Sequence, residues 1–129
     1  MPIEYSEVHQ ASVTLDFFGD RPVFLLNEYI AYESPESLVA FEYFAACELA
    51  RRFDGTGFRA MQSDPALAER MLAEADCRAL SLVEARGYVR GFEAYSAIID
   101  QYQYYRAKDE YLGVPFWLRA ENITRMCGR

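Results

Sequence analysis

The stretch that decides the fold is residues 11–32, ASVTLDFFGDRPVFLLNEYIAY. Residues 11–18 alternate apolar and polar side chains, the period of two that is typical of a half-buried β-strand. GDRP at 19–22 supplies the Gly and Pro of a turn, and residues 23–32 are rich in the β-branched and aromatic side chains that favour strands. The sequence therefore predicts an antiparallel hairpin within residues 10–33.

This hairpin needs a cover, because its second strand is apolar on both faces and an isolated two-stranded ribbon is marginal in water. Three covers are open: the helices that follow, a third strand from residues 3–9, or a second copy of the chain. Covering by a second copy would make the protein a homodimer through its sheet edge, and a surface at Gly87 and Gly91 is another candidate for self-association.

Helical signals follow the hairpin over residues 34–113. In ESPES (33–37), Ser34 is suited to cap a helix and Pro35 to its first position, so a helix to about residue 53 is predicted. DGTGF (54–58) is typical of a loop, and Asp64 with Pro65 starts a second helix.

Residues 76–113 also favour helix by their apolar spacing, although Gly87 and Gly91 each cost about 1 kcal/mol in a helix interior. Either the helix breaks there, or the two glycines let another element approach closely. A short last helix is predicted within residues 114–129. The order is α+β: a small N-terminal antiparallel hairpin or sheet, then three or four helices packed against it, in a single domain of residues 1–129.

Composition fits an ordinary folded domain, with 52% hydrophobic and 16% aromatic residues in 129. Such a chain buries enough surface to fold without disulfides or metal. Cys47, Cys77 and Cys127 are odd in number and widely spaced, so we expect all three to be reduced. The N-terminus has no secretory-signal pattern and no apolar run is long enough for a membrane span, which predicts a cytoplasmic protein.

Motifs that carry chemistry are weak throughout the sequence. His9 is the sole histidine, so any catalytic or metal site that uses histidine could contain only this one. No phosphate-binding motif, Glu-x-x-His pair or CxxC pair occurs, and we expect no catalytic residue, metal or cofactor. An enzyme is therefore disfavoured but not excluded.

Charge and tyrosine content indicate instead a surface for another protein. The net charge is −7, with six acidic residues against one basic residue in residues 1–33. This balance disfavours nucleic acid and favours a protein partner with a basic surface. Helical phasing of residues 98–113 places Tyr102 inward and Tyr104 and Tyr111 outward, and exposed tyrosine is common at interfaces. The candidate partner-binding residues are Tyr104, Lys108, Tyr111, Asp16, Asp20 and Glu28.

Two functional hypotheses follow. The first is a small acidic intracellular interaction module that acts by surface occupation. It resembles, in size and acidity alone, phage inhibitors such as anti-CRISPR proteins, antitoxins and immunity proteins; twelve Arg against one Lys also hint at a bacterial or phage source. The alternative is a ligand-binding domain or enzyme with a pocket between hairpin and helices. Its lining would be Tyr88, Tyr95, Tyr102, Trp117, Glu84, Glu93 and Arg90.

Overall fold

The computed structural model of the protein describes residues 3–5, 11–87 and 91–127, and confirms the α+β class. Its strands are β1 (Ile3–Tyr5), β2 (Val13–Phe18), β3 (Arg21–Leu26), β4 (Glu110–Tyr111) and β5 (Val114–Pro115). Its helices are α1 (Glu28–Glu33), α2 (Glu36–Arg52), α3 (Gly55–Gln62), α4 (Pro65–Ala85), α5 (Gly91–Asp100), a π-helical turn (Gln101–Tyr105) and α6 (Phe116–Met126).

The predicted hairpin is present, and a third strand extends it. β3 is central: it pairs antiparallel with β2, with Leu15 opposite Phe24, and parallel with β1, with Ile3 opposite Phe24. The tight turn between β2 and β3 uses Gly19 at a φ of +61°, a conformation that glycine adopts without steric cost. Two of the three predicted covers are present: residues 3–5 form a third strand, and α2 packs on β2.

The second strand ends earlier than predicted, at Leu26 instead of residue 32. Asn27 caps α1 because its side chain accepts a hydrogen bond from the backbone N–H of Ile30 at 3.1 Å. This cap competes successfully with the strand preference of the aromatic residues that follow. The strand prediction for residues 27–32 is therefore wrong.

Two further local predictions are also wrong. Ser34 does not cap α2; its hydroxyl donates to the carbonyl of Ile30 and so closes the preceding helix, while Pro35 occupies the N-cap of α2. The loop predicted for residues 54–58 is instead the start of α3, because the Asp54 carboxylate accepts from the Gly57 N–H at 2.7 Å. Gly55 is required at its position, since a Cβ there would lie 1.7 Å from the carbonyl oxygen of Gly19.

The long helical stretch is interrupted at the predicted weak point. α4 starts at the Asp64 cap, as expected, and ends where Gly87 takes a φ of +68°. The packing role suggested for Gly87 is not found among the described residues, because a Cβ there would meet none of their atoms within 4 Å. Beyond residue 105 the helix prediction also fails, since β4 and β5 form a hairpin with Leu112 and Gly113 both at positive φ.

A disulfide joins Cys77 of α4 to Cys127 at the end of α6, so the prediction of three reduced cysteines is wrong. Cys47 remains free, and burial raises the pKa of its thiol. Disulfides are typical of oxidising compartments and rare in the cytosol. The cytoplasmic location stays a prediction of the sequence. No helix in the described part of the chain is long and apolar enough to cross a membrane.

Candidate functional site

A buried carboxylate of α2 organises the interior between the sheet and the π-helical turn. One oxygen of Glu42 accepts hydrogen bonds from the backbone N–H and the hydroxyl of Ser12, at 3.1 and 2.6 Å. Its other oxygen accepts from the Tyr102 hydroxyl at 2.7 Å and from Nη2 of Arg106 at 3.2 Å. Four donors on one carboxylate meet the condition under which a buried charge is tolerated.

A second ion pair lies beside the first. Asp76 of α4 and Arg119 of α6 form a bidentate pair, with N–O distances of 2.8 and 3.0 Å. The Arg119 guanidinium carbon is 4.8 Å from the ring centroid of Tyr102, and the Arg106 carbon is 5.1 Å from that of Phe116. Both arginines therefore contact the rings of Tyr102 and Phe116, and the formal charges of the two ion pairs cancel.

The ionisation states in this network are held by burial and by neighbours. Burial raises the pKa of the Tyr102 hydroxyl well above its ordinary value, so the group stays protonated and donates to Glu42. Burial lowers the pKa of Arg119, but the adjacent Asp76 carboxylate more than offsets this, and the guanidinium stays charged. Burial also raises the pKa of the Asp76 carboxyl, against the opposing effect of Arg119.

This network positions the π-helical turn. Its carboxylates are buried and hydrogen-bonded, whereas Nε and Nη1 of Arg106 are buried and have no hydrogen-bond partner among the described residues. π-Helical turns are frequent at functional sites. Here the turn places Tyr102 in the core and Tyr104 and Tyr105 on the surface, where Tyr105 is 77% exposed.

A tyrosine-rich surface lies next to this turn, on α1. None of the six residues of α1 is buried, and Tyr29 and Tyr32 are 67% and 92% exposed. A depression of about 260 Å³ separates α1 from the π-helical turn, lined by Ile30, Glu33, Ser34, Gln101, Tyr105 and Arg106. We call Glu28, Tyr29, Tyr32, Glu33 and Tyr105 the tyrosine surface.

An apolar groove adjoins the tyrosine surface on its other side. It lies between the sheet and α2, has a volume of about 290 Å³, and is lined by Val13, Phe24, Leu26, Glu36, Val39, Ala40 and Tyr43. A depression lined by residues of α1 shares Leu26 with the groove and Glu33 with the depression at the turn. The three concavities are therefore neighbours, linked through these two residues.

The structure exposes most of the predicted partner-binding residues but does not bring them together on one element. Tyr104, Lys108 and Glu28 are exposed. Asp16 and Asp20 are exposed as well, but their carboxylates accept backbone hydrogen bonds, from Phe17 at 2.8 Å and from Gly55 at 3.2 Å. Of the set, Glu28 alone belongs to the tyrosine surface.

Tyr111 is oriented inward, contrary to the prediction. Its hydroxyl accepts from the N–H of Leu15 and donates to the carbonyl of the same residue, both at 2.9 Å. Leu15 is in a non-hydrogen-bonded pair with Phe24, so these groups belong to the outer edge of β2. Burial raises the pKa of the Tyr111 hydroxyl and keeps it protonated for this double role. The side chain blocks sheet extension at Leu15.

Replacing Tyr111→Phe should lower the free energy of unfolding by about 2 kcal/mol, because both edge groups of Leu15 lose their partner. Urea unfolding measures the change. The matched control is Tyr104→Phe, whose hydroxyl is on an exposed side chain and whose loss should cost less than about 0.5 kcal/mol. Equal stability of the two variants would contradict the edge-capping role.

The alternative pocket is not formed by the described members of its predicted lining. Tyr102 is fully buried in the core, Trp117 is 48% exposed on α6, and Glu93 is exposed. Tyr95 is partly buried and shares a hydrogen bond of 3.0 Å with Thr124, while Glu84 is half-buried. Tyr88 and Arg90, like His9, lie outside the described residues. Within the described ranges, no group of three or more His, Cys, Asp or Glu side chains is arranged to hold a metal ion.

Sequence reasoning missed the residues that matter most in the structure. Tyr29 and Tyr32 were assigned to a strand, although their i, i+3 spacing behind Asn27 is compatible with a capped helix. The partners Glu42–Arg106 and Asp76–Arg119 are 64 and 43 residues apart, and no local pattern connects them. Comparison with protein-family models, with curated proteins and with solved structures found no match.

Proposed function

We propose that this protein is an acidic protein-interaction module, and that the tyrosine surface is where its partner binds. The observation that carries the proposal is that α1 has no buried residue and contains two tyrosines that are largely exposed to solvent. Core packing therefore does not explain the presence of tyrosine at positions 29 and 32. Tyrosine is enriched at protein interfaces because its large rigid ring contributes contact area at a low entropic cost.

The surroundings of α1 support the same function. The π-helical turn, anchored from below by the Tyr102–Glu42 hydrogen bond, presents Tyr105 across the depression from α1. A surface built on elements fixed by a buried network is preorganised, which reduces the entropic cost of binding. Inhibition by surface occupation, as in an anti-CRISPR protein, antitoxin or immunity protein, is the mode of action we assign to such a module.

The proposal predicts that the double substitution Tyr29→Ser/Tyr32→Ser strongly weakens partner binding while the fold is retained. Both side chains are largely exposed, so the change in unfolding free energy should stay near 0.5 kcal/mol per site. Loss of two interface tyrosines should weaken binding at least tenfold. Affinity capture from cells of the source organism, with mass spectrometry, compares the wild type with this variant.

The matched control is Trp117→Ser, which removes an exposed aromatic ring from α6, away from the lining of the three concavities. A protein that is captured by the wild type and by the control, but not by the tyrosine variant, supports the proposal. A captured protein that the tyrosine variant retains, or that both variants lose equally, contradicts it.

A further inference from the structure

We infer that the occupant of the apolar groove is a basic segment of a partner polypeptide, with one apolar side chain in the groove and flanking Lys or Arg residues against Glu28, Glu33 and Glu36. The inference rests on the proposed function and specifies the chemistry of the partner. Its basis is that the apolar groove shares Leu26 with a depression whose lining includes Glu28, Glu33 and two exposed tyrosines.

The lining of the groove suits an apolar side chain. Its volume of about 290 Å³ is close to the lower limit of the roughly 300–1,000 Å³ of small-molecule pockets. Val13 and Phe24 on the sheet are buried and form its apolar lining with Leu26 and Val39, while the partly exposed Tyr43 packs edge-on against Phe24 with ring centroids 5.3 Å apart. Insertion of an aliphatic side chain would bury apolar surface on both partners.

The charges around the groove are of one sign. Glu36 lines the groove itself, and Glu28 and Glu33 line the adjoining depression. None of these three carboxylates has an ion-pair or side-chain hydrogen-bond partner among the described residues. The one arginine among the described lining residues, Arg106, already donates to Glu42.

The position of Glu33 adds an independent argument. It is the last residue of α1, where the helix dipole presents its negative end, and the last turn has no basic residue. A carboxylate at this end does not stabilise the helix. A cation from a partner would offset the unfavourable interaction of Glu33 with the helix dipole. The rings of Tyr29 and Tyr32 could also make cation–π contacts with the same Lys or Arg side chains.

A defined peptide tests the inference directly. The probe is a short acetylated and amidated peptide with a central leucine between two Lys-Arg pairs, titrated into isotope-labelled protein and followed by amide chemical shifts. Two matched peptides replace the leucine by serine, or the basic pairs by Glu-Asp pairs. We expect shifts at β3, α1 and the start of α2 with the first peptide, and a several-fold weaker response with either of the others.

Protein variants separate charge from nonspecific attraction. Glu33→Gln/Glu36→Gln should raise the dissociation constant about three- to tenfold at low salt, and added salt should reduce this difference. The control Glu110→Gln/Glu121→Gln removes the same charge from exposed residues on β4 and α6, and should leave the constant unchanged. An equal effect of the two double variants, or equal binding of the basic and acidic peptides, overturns the inference.

Failure of the inference is distinguishable from failure of the proposed function. If the basic peptide produces no shifts at the groove while Tyr29→Ser/Tyr32→Ser still loses a captured protein, the interaction surface stands and the basic class of partner is wrong. If the basic peptide produces the expected shifts and the captured protein is unaffected by the tyrosine variant, the groove chemistry stands and the tyrosine surface is not where that partner binds.

Discussion

Arg119→Met is expected to lower the free energy of unfolding by about 3–5 kcal/mol. The substitution leaves the Asp76 carboxylate buried in the interior without its bidentate partner. It also removes the guanidinium that stacks at 4.8 Å on Tyr102 and 5.1 Å on Phe116. Most of the loss arises from the uncompensated charge, because methionine retains much of the apolar contact of the arginine stem.

Urea unfolding of single and double variants distinguishes that cause from simple loss of packing. Asp76→Leu/Arg119→Met removes both charges and should lose less stability than Arg119→Met alone, because no buried ion is left unpaired. The control is Arg52→Met, which breaks the exposed pair with Glu74 and a 3.9 Å contact with Glu48. Glu48 keeps Arg51 and Arg78 as partners, so this variant should cost at most about 1 kcal/mol. A loss below 1 kcal/mol for Arg119→Met would contradict the structural role assigned to the pair.

The fold was predictable where the signals are local. Period-two alternation and a Gly-Pro turn located β2 and β3, and the Asp64–Pro65 pair located the start of α4, because capping and strand periodicity act over a few residues. The prediction failed at α1 for a related reason. At α1 the strand preference of the aromatic residues competes with the helix-capping preference of Asn27. The helix forms because the Asn27 side chain accepts a hydrogen bond from the Ile30 N–H.

The candidate site was less predictable, because it depends on contacts between distant residues. Tyr104 was correctly expected on the surface and Tyr102 in the core. Helical phasing of Tyr111 was wrong, since the π-helical turn ends the helix at Tyr105 and a hairpin follows. That turn is stabilised by Glu42, which is 60 residues away from Tyr102 along the chain, so no window of sequence contains both partners.

The cysteines illustrate the same limit. Their odd number and wide spacing predicted free thiols, yet Cys77 and Cys127 are brought together by the packing of α4 on α6, with a sequence separation of 50. Asp76 and Arg119 belong to the same pair of helices, which indicates that the ion pair and the disulfide fasten one interface. The neighbouring Asn122, which donates to Glu69 at 3.1 Å, adds a third link.

Loss of this disulfide is expected to lower the free energy of unfolding by about 4 kcal/mol, because the crosslink closes a loop of about 50 residues in the unfolded chain. Cys77→Ser/Cys127→Ser and the reduced wild type should lose similar stability in urea. Cys47→Ser is the control, since that thiol is free, and should change stability far less.

Alkylation checks the premise before stability is measured. In denaturant without reductant, one cysteine of the wild type, Cys47, should react, and all three should react after reduction. Reaction of all three without reductant would contradict the crosslink, whatever the unfolding data show.

If the disulfide is present but its loss costs less than about 1 kcal/mol, then the Asp76–Arg119 pair and the apolar contacts of α6 already hold the interface. In that case Arg119→Met should be more damaging in the reduced protein than in the oxidised one, because the two links then share one function.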